Sequence, residues 1–295
     1  MSCKLRRALR VRDSQVKTTV YCVLALLCFA ANSVLCRLAL GKELIDAGSF
    51  TVVRLTSGIV CLALILFVAL PNKSLQSGRG SWLSGLALFL YAVTFSFAYL
   101  SLDTGTGALI LFGSVQLTML AWQYAHGKRP GVLEWAGVLL AFSGLVYLVY
   151  PILSTPRTTG LVLMAAAGCA WGVYTLRGKS SQHPLADTAF NFFRTLPMVL
   201  ILAALAWPRL ELTAEGLFYA SLSGALASGV GYALWYVALE NLTATVAAVT
   251  QLSVPVLAAI GGVLMLGELL EARLFLATLL VLGGIGLVIH QNRTR

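Results

Sequence analysis

The stretches "FTVVR", Phe50 to Arg54, and "FNFFR", Phe190 to Arg194, are one pattern written twice, 140 residues apart, and each leads into a long apolar run. An arginine inside such a run is expensive, on the order of 3 kcal/mol at mid-membrane and less where the side chain can reach water. A chain that accepts this cost twice, at matching places, is built from a duplicated unit. Sliding the sequence by 140 also sets "AANSVLCR" (Ala30 to Arg37) on "AWGVYTLR" (Ala170 to Arg177), and "LLAFSGLVYLV" (Leu139 to Val149) on "LLVLGGIGLVI" (Leu279 to Ile289). With a shift of 137, "YLSLD" (Tyr99 to Asp103) falls on "YVALE" (Tyr236 to Glu240). Four matches in one order at nearly one offset are an internal repeat.

Of the 295 residues, 59% are hydrophobic and 11% charged, with a mean hydropathy of +0.86. Soluble domains carry about 25% charged residues. So few charges cannot cover a soluble surface, which excludes a soluble globular enzyme and leaves a membrane protein. The net charge of +10 and pI near 9.6 would suggest nucleic acid in a soluble chain. Here Lys4, Arg6, Arg7, Arg10, Arg12 and Lys17 precede the first apolar run and other basic residues flank later runs, which is the positive-inside pattern and implies no nucleic-acid partner. Five of the six cysteines lie in apolar segments without C-x-x-C spacing, so they read as small packing residues and no metal site is expected.

A bilayer core needs about 20 apolar residues per helix. Ten such runs follow one another: Thr19 to Leu40, Gly48 to Leu70, Trp82 to Leu102, Thr106 to His126, Trp135 to Leu153, Gly160 to Leu176, Thr188 to Trp207, Gly216 to Leu239, Thr243 to Leu266 and Leu274 to His290. The expected fold is therefore an all-α membrane protein of ten transmembrane helices. It divides into a basic tail (1–18), a first repeat (19–153), a second repeat (160–290) and a short tail (291–295). The connections are too short for a separate soluble domain, so function must lie within the bundle. With the N-terminus in the cytosol, that side carries fourteen basic residues and the outer side five, which places both termini in the cytosol of a multi-pass protein of the cytoplasmic membrane. The first run is not a cleaved signal, because Phe29 is too bulky for the −3 position of a cut after Ala31. Five spans per half is an odd number, so the second half enters the membrane from the opposite side, and the two repeats are inverted.

Four pieces carry a family resemblance: "CAWGVYTLRGK" (Cys169 to Lys179), the Phe and Arg of the second helix in each repeat, "LSVPVLAAIGGVLMLGE" (Leu252 to Glu268) and "LGGIGLVI" (Leu282 to Ile289). Together they resemble the EamA-like branch of the drug/metabolite transporter superfamily over nearly the whole chain, as two EamA-like repeats. The first repeat departs from the pattern with Ala31-Asn32 where the family often has Trp-Gly, with Thr118 where the second repeat has Pro255, and with Lys128 where it has Glu268. The resemblance implies a secondary transporter working by alternating access, and export as its direction.

Arg54 and Arg194 sit about six residues into their helices, roughly 9 Å at 1.5 Å per residue, one from each face. Asp103 ends the third span on the side of Arg54, and Glu240 ends the eighth on the side of Arg194. Each acid is a candidate partner for its arginine in a gating latch, with Arg37 and Arg177 as competing partners. Structural pairing and direct contact with a substrate carboxylate or phosphate are the other two readings of the arginines. For a substrate cavity, the polar and aromatic residues within corresponding spans are Asn32, Trp171 and Tyr174; Tyr99, Trp235 and Tyr236; and Ser114, Gln116, Thr250 and Gln251. Rings and amides together suit small amphipathic solutes, although interhelical packing explains any one of these residues equally well. A small-residue stripe, Ser221, Gly224, Ser228 and Gly231, reads as tight helix packing. All eleven acids lie in tails, loops or helix ends, which favours exchange or facilitated diffusion over carboxylate-driven antiport.

No phosphate loop, nucleophile elbow, H-E-x-x-H or cysteine metal motif occurs, so no cofactor is expected and the chain is not expected to be an enzyme. The expected function is export of small metabolites, amino acids or drug-like amphiphiles. An importer or a nucleotide-sugar-like exchanger is the alternative within transport, and a membrane-embedded lipid-modifying enzyme is the alternative outside it. The expected partners are a small-molecule substrate and the lipid bilayer, with a homodimer left open.

Overall fold

A peptide group in hydrocarbon has no water to bond, so each apolar run closes its own hydrogen bonds as a helix. The computed structural model describes residues 3–69, 80–127, 131–150, 158–178, 181–239, 242, 250–251 and 253–293. Among them there are helices and turns and, as β structure, one isolated bridge between Ile45 and Leu212. In chain order the helices are α1 (Cys3–Gly41), α2 (Ala47–Ala69), α3 (Trp82–Ala98), α4 (Thr104–Ala125), α5 (Val132–Val149) and α6 (Thr158–Gly178). They continue as α7 (Pro184–Ala206) and α8 (Ala214–Leu239), then α9 (Val254–Leu266) and α10 (Ala272–Arg293). Six of them, α1, α2, α4, α6, α7 and α8, are long and apolar enough to cross a bilayer, and the other four contain shorter apolar helices. Leu64, Phe67 and Val68 on α2, with Leu200, Ile201 and Leu205 on α7, are 61–85% exposed. Only lipid tails cover such a surface without cost, so the chain is a multi-pass membrane protein.

The departures from the expected limits have local causes. The ninth run begins at Thr243 in sequence, yet the described helix begins at Val254, with Pro255 in its first turn. Proline has no N–H to donate and its fixed φ suits that position; residues 243–249 lie outside the described residues. The seventh helix is interrupted at Thr195, because Pro197 cannot donate to the Phe193 carbonyl. Within α8, Ser223–Val230 winds as a π-helix, a wider turn that aligns residues five apart.

The packing is reciprocal between the first five helices and the last five. α3 lies on α6, and α8 lies on α1; α4 lies on α6, and α9 lies on α1; α2 lies on α8, and α7 lies on α3. The pairs α5 with α10 and α4 with α9 map onto themselves under the same exchange. The helix ends repeat the relation. The Asp46 carboxylate, before α2, accepts from the Glu211 N–H at 3.4 Å, and the Asp187 carboxylate, in α7, accepts from the Gly80 N–H at 2.9 Å.

The closest approach is between α2 and α8. A Cβ added at Gly224 would land on the Arg54 carbonyl and the Ser57 hydroxyl, and backbone cannot swing aside as a side chain can. Gly224→Ala should therefore lower stability by about 1–3 kcal/mol, whereas Gly286→Ala, at a site with nothing within 4 Å, should be neutral. Thermal unfolding of the two variants in detergent tests this, and equal midpoints would contradict the close approach.

Candidate functional site

The middle of the bundle holds a chain of polar side chains from both halves. The Ser223 hydroxyl of α8 donates to Asn32 Oδ1 of α1 at 2.6 Å, which fixes the amide so that Asn32 Nδ2 faces the Tyr91 hydroxyl of α3 at 3.3 Å. The same hydroxyl accepts from Arg54 Nη2 of α2 at 3.0 Å. Arg54 Nε reaches Ser228 Oγ, back on α8, at 3.5 Å. Ser223 and Ser228 are five apart, one turn of the π-helical stretch, and so meet the network together.

Arg54 is 2% exposed. Its Cζ lies 5.1 Å from the Tyr91 ring centroid and 4.9 Å from that of Phe95, distances at which ring quadrupoles attract a cation. Its Nη1 is buried without a hydrogen-bond partner.

In front of this network lies a pocket of about 20 Å³, room for about one water. Phe29, Asn32 and Ser33 of α1, Tyr91 and Phe95 of α3, and Leu111 and Phe112 of α4 form one side, and Trp171 of α6 with Ala227 and Tyr232 of α8 form the other. The rings hold one another: Trp171 is 4.9 Å from Tyr91, 5.0 Å from Tyr232 and 5.4 Å from Tyr174, centroid to centroid.

Along α1 and α3, two sets of polar contacts join the halves on either side of the pocket. At the Arg37 end, Glu268 accepts from the Thr104 N–H at 2.9 Å and from the Thr104 hydroxyl at 2.9 Å. This carboxylate caps the first turn of α4. Gly267, at φ +68°, reverses the chain after α9 and sets Glu268 there. Arg37 joins it, with Nε 3.6 Å from Glu268, Nη2 3.8 Å from Asp103 and Nη1 donating to the Tyr99 carbonyl at 3.0 Å. At the Arg177 end, Asp187 and Asn191 accept from the Gly80 and Ser81 N–H groups at 2.9 and 2.8 Å, just before α3. Arg177 donates to Ser84 at 3.1 Å and to Ser81 at 3.2 Å.

Of the residues singled out by sequence, Asn32 and Trp171 line the central pocket. Tyr174 stacks on Trp171, and Trp235 packs on Phe29 at 5.7 Å. Tyr236 sits beside Gly178, near the Arg177 end. Tyr99 is buried with its hydroxyl on the Thr104 carbonyl at 3.2 Å, a support of the Arg37 end and not a pocket wall. Ser114 packs against Gly168 of α6. Gln116 faces a separate crevice between α4, α5 and α10. Thr250 and the buried Gln251 precede α9, where the Thr250 carbonyl accepts from Ser253.

The pairing of Arg54 with Asp103 does not occur: Asp103 joins Arg37, and Arg54, deeper, takes a tyrosine and a serine. Arg194 is unlike its twin, half-buried over the Trp82 ring at 5.8 Å with Nη1 on the Phe190 carbonyl of its own helix. Its expected partner Glu240 lies outside the described residues. Sequence reasoning missed Tyr91, Ser223 and Tyr232. A polar ring in the middle of "LALFLYAVTF" was a usable signal for Tyr91, whereas Ser223 lies off any 3.6-residue stripe and becomes aligned only through the π-helical turn.

Residues 158–290 match the EamA-like transporter family. The chain is 50% identical over 279 residues to an uncharacterised protein of Pseudomonas aeruginosa, covering 95% of this chain and 96% of that one. It is 30% identical over 271 residues to an uncharacterised transporter of Archaeoglobus fulgidus, covering 85% of this chain and 90% of the other. A probable amino-acid metabolite efflux pump of Escherichia coli is 24% identical over 255 residues, with 80% and 84% covered. With a family match over residues 158–290 and a relative named as a transporter aligned over most of both chains, this protein belongs to the EamA-like transporter family.

Proposed function

We propose that the protein is a secondary transporter that exports small metabolites, amino acids or amphipathic solutes, across the cytoplasmic membrane by alternating access. One observation carries the reading: a ring-lined pocket sits where the two halves meet, with polar contacts joining the halves on either side of it along α1 and α3. At about 20 Å³ the pocket is too small for a metabolite, so the helices would have to part to admit one, as alternating access requires. The reciprocal helix contacts support two inverted five-helix repeats spanning the membrane ten times. The direction of transport rests on the efflux name of the Escherichia coli relative. Purified protein in liposomes should show counterflow of a metabolite from a panel of amino acids, nucleobases, polyamines and nucleotide sugars. Asn32→Ala, which removes the amide that Ser223 and Tyr91 share, should slow it by about tenfold, equivalent to one or two buried hydrogen bonds. Absence of counterflow across the panel would remove the transport reading.

In this reading the Arg37 end is the outer seal and the Arg177 end the cytosolic one, with both termini cytosolic. Reporter fusions to Met1 and Arg295 should therefore respond only to cytosolic reagents, and a split result would reverse the assignment. In this reading the two seals gate transport, and the outer one takes the role expected of an Arg54–Asp103 pair. Their loss should act in opposite senses, because each alternative state opens one seal and keeps the other. With the native cysteines replaced and Ser33→Cys as a reporter in the pocket wall, Glu268→Ala should raise labelling by an impermeant thiol reagent added outside. Asp187→Ala should raise it in inside-out vesicles. Equal labelling from both sides in both variants would show that these contacts are not gates.

A further inference from the structure

The transport reading leaves one charge unexplained. A guanidinium stays ionised wherever it is placed, and Arg54 is 2% exposed. Two of its nitrogens are engaged, one with Tyr91 at 3.0 Å and one with Ser228 at the long distance of 3.5 Å. The third, Nη1, is buried and bonded to nothing, and no carboxylate pairs with Arg54 among the described residues. Ring faces of Tyr91 and Phe95 offset a cation only partly. Arg37, by contrast, holds two acids on the same bundle. The chain thus buries a cation in low dielectric with a free donor and withholds the counter-ion, an arrangement that costs stability unless the anion arrives from elsewhere.

Resting on the transport reading, we propose that the missing counter-ion is the substrate: Arg54 receives the carboxylate of a small monocarboxylate whose apolar side chain seats among the rings of the central pocket. Tyr91 and Phe95, which touch the guanidinium, are also pocket walls, so the cation lies directly behind the cavity. A carboxylate has two oxygens to match the planar fork, and it would take up Nη1 together with the nitrogen now held by Tyr91. The residues lining the pocket include no acid. An ammonium group on the substrate would meet ring faces and the neutral oxygens of Asn32, Ser33, Tyr91 and Tyr232, so the carboxylate decides selection and the amine is secondary. Arg194 also has a buried nitrogen, Nε, without a hydrogen-bond partner, but it lies half-buried over the ring of Trp82, which is not among the walls of the central pocket.

Four solutes of one shape separate the two groups: 3-phenylpropionate (carboxylate only), L-phenylalanine (both), phenethylamine (amine only) and 3-phenylpropionamide (neither). In proteoliposomes of the full chain, the two carboxylates should be carried and the other two should be slower by about 10- to 100-fold, the worth of a charge-assisted hydrogen-bonded pair. Arg54→Gln should abolish carboxylate counterflow and Arg54→Lys should retain part of it. The solute comparison is made on the unaltered protein, so it decides even where a variant fails to fold. Phenethylamine or the amide carried as fast as the carboxylates would overturn the inference and leave the transport reading intact. So would counterflow of other members of the wider panel with none of these four. If no solute of either set is carried, both fail together.

Discussion

The cost of burying the Arg54 charge organises the centre of this protein. An ionised side chain inside a bundle must be surrounded by polar atoms or rings, and none of the required groups lies on its own helix within reach of its head. Tyr91 and Phe95 come from α3 and Ser228 from α8. The third helix must therefore stay beside the second, and α8 from the other half must approach close enough to donate a serine. Gly224 is what permits the approach, since any Cβ there would strike the Arg54 backbone. The π-helical turn then sets Ser223 on Asn32 while Ser228 faces Arg54. Packing, helix distortion and the polar chain are three responses to one desolvated cation.

A second constraint acts at the helix ends. The first turn of any helix has N–H groups without partners, and inside a membrane protein they need acceptors. For α4 the acceptor belongs to the opposite half, Glu268, whereas Ser81 caps α3 itself and Asp187 and Asn191 hold the two N–H groups just before it. Bonds of this kind are strong while dry and easily exchanged for water once water enters. A seal made of capped helix ends can therefore break without leaving a buried orphan, because the opening that separates the partners also wets them. That makes these contacts suited to reversible closure, in a way that a purely apolar plug would not be.

The all-helical character and most of the helix limits were legible in the sequence because they follow from hydropathy length, a local property. The pocket was partly legible. Asn32 and Trp171 stand out as polar or amphipathic groups inside apolar runs, and they do line it. Gln116 stands out by the same criterion and faces another crevice, since periodicity gives a face of a helix but not which neighbour that face meets. Pairing the arginines with the acids at the ends of neighbouring spans failed for Arg54 because position along the helix matters: Asp103 lies at a helix terminus beside Arg37, whereas Arg54, seven residues into α2, meets Tyr91 and Ser228. Ser223 was hidden by the assumption of 3.6 residues per turn. Glu268 was visible as the end of a motif, but its role as a cap depends on Gly267 reversing the chain, a tertiary event.

In the transport cycle we propose, helices join the pocket to the two seals and give occupancy a route to them. On α1, Asn32 of the pocket and Arg37 of one seal are five residues apart, about 7.5 Å along the axis; on α3, Tyr91 of the pocket and Ser84 of the other seal are seven apart, about 10 Å. At the pocket, α1 and α3 are tied by the bond from Asn32 to the Tyr91 hydroxyl. An anion that took Arg54 from Tyr91 would also disturb the group that Asn32 holds, so filling the pocket would loosen the tie between the helix that bears one seal and the helix that bears the other. Each could then tilt with its own seal and not with its neighbour's. Two discrete arrangements of one contact, biased by a ligand at one place and by capped helix ends at two others, are the physical requirement for coupling binding to alternating access.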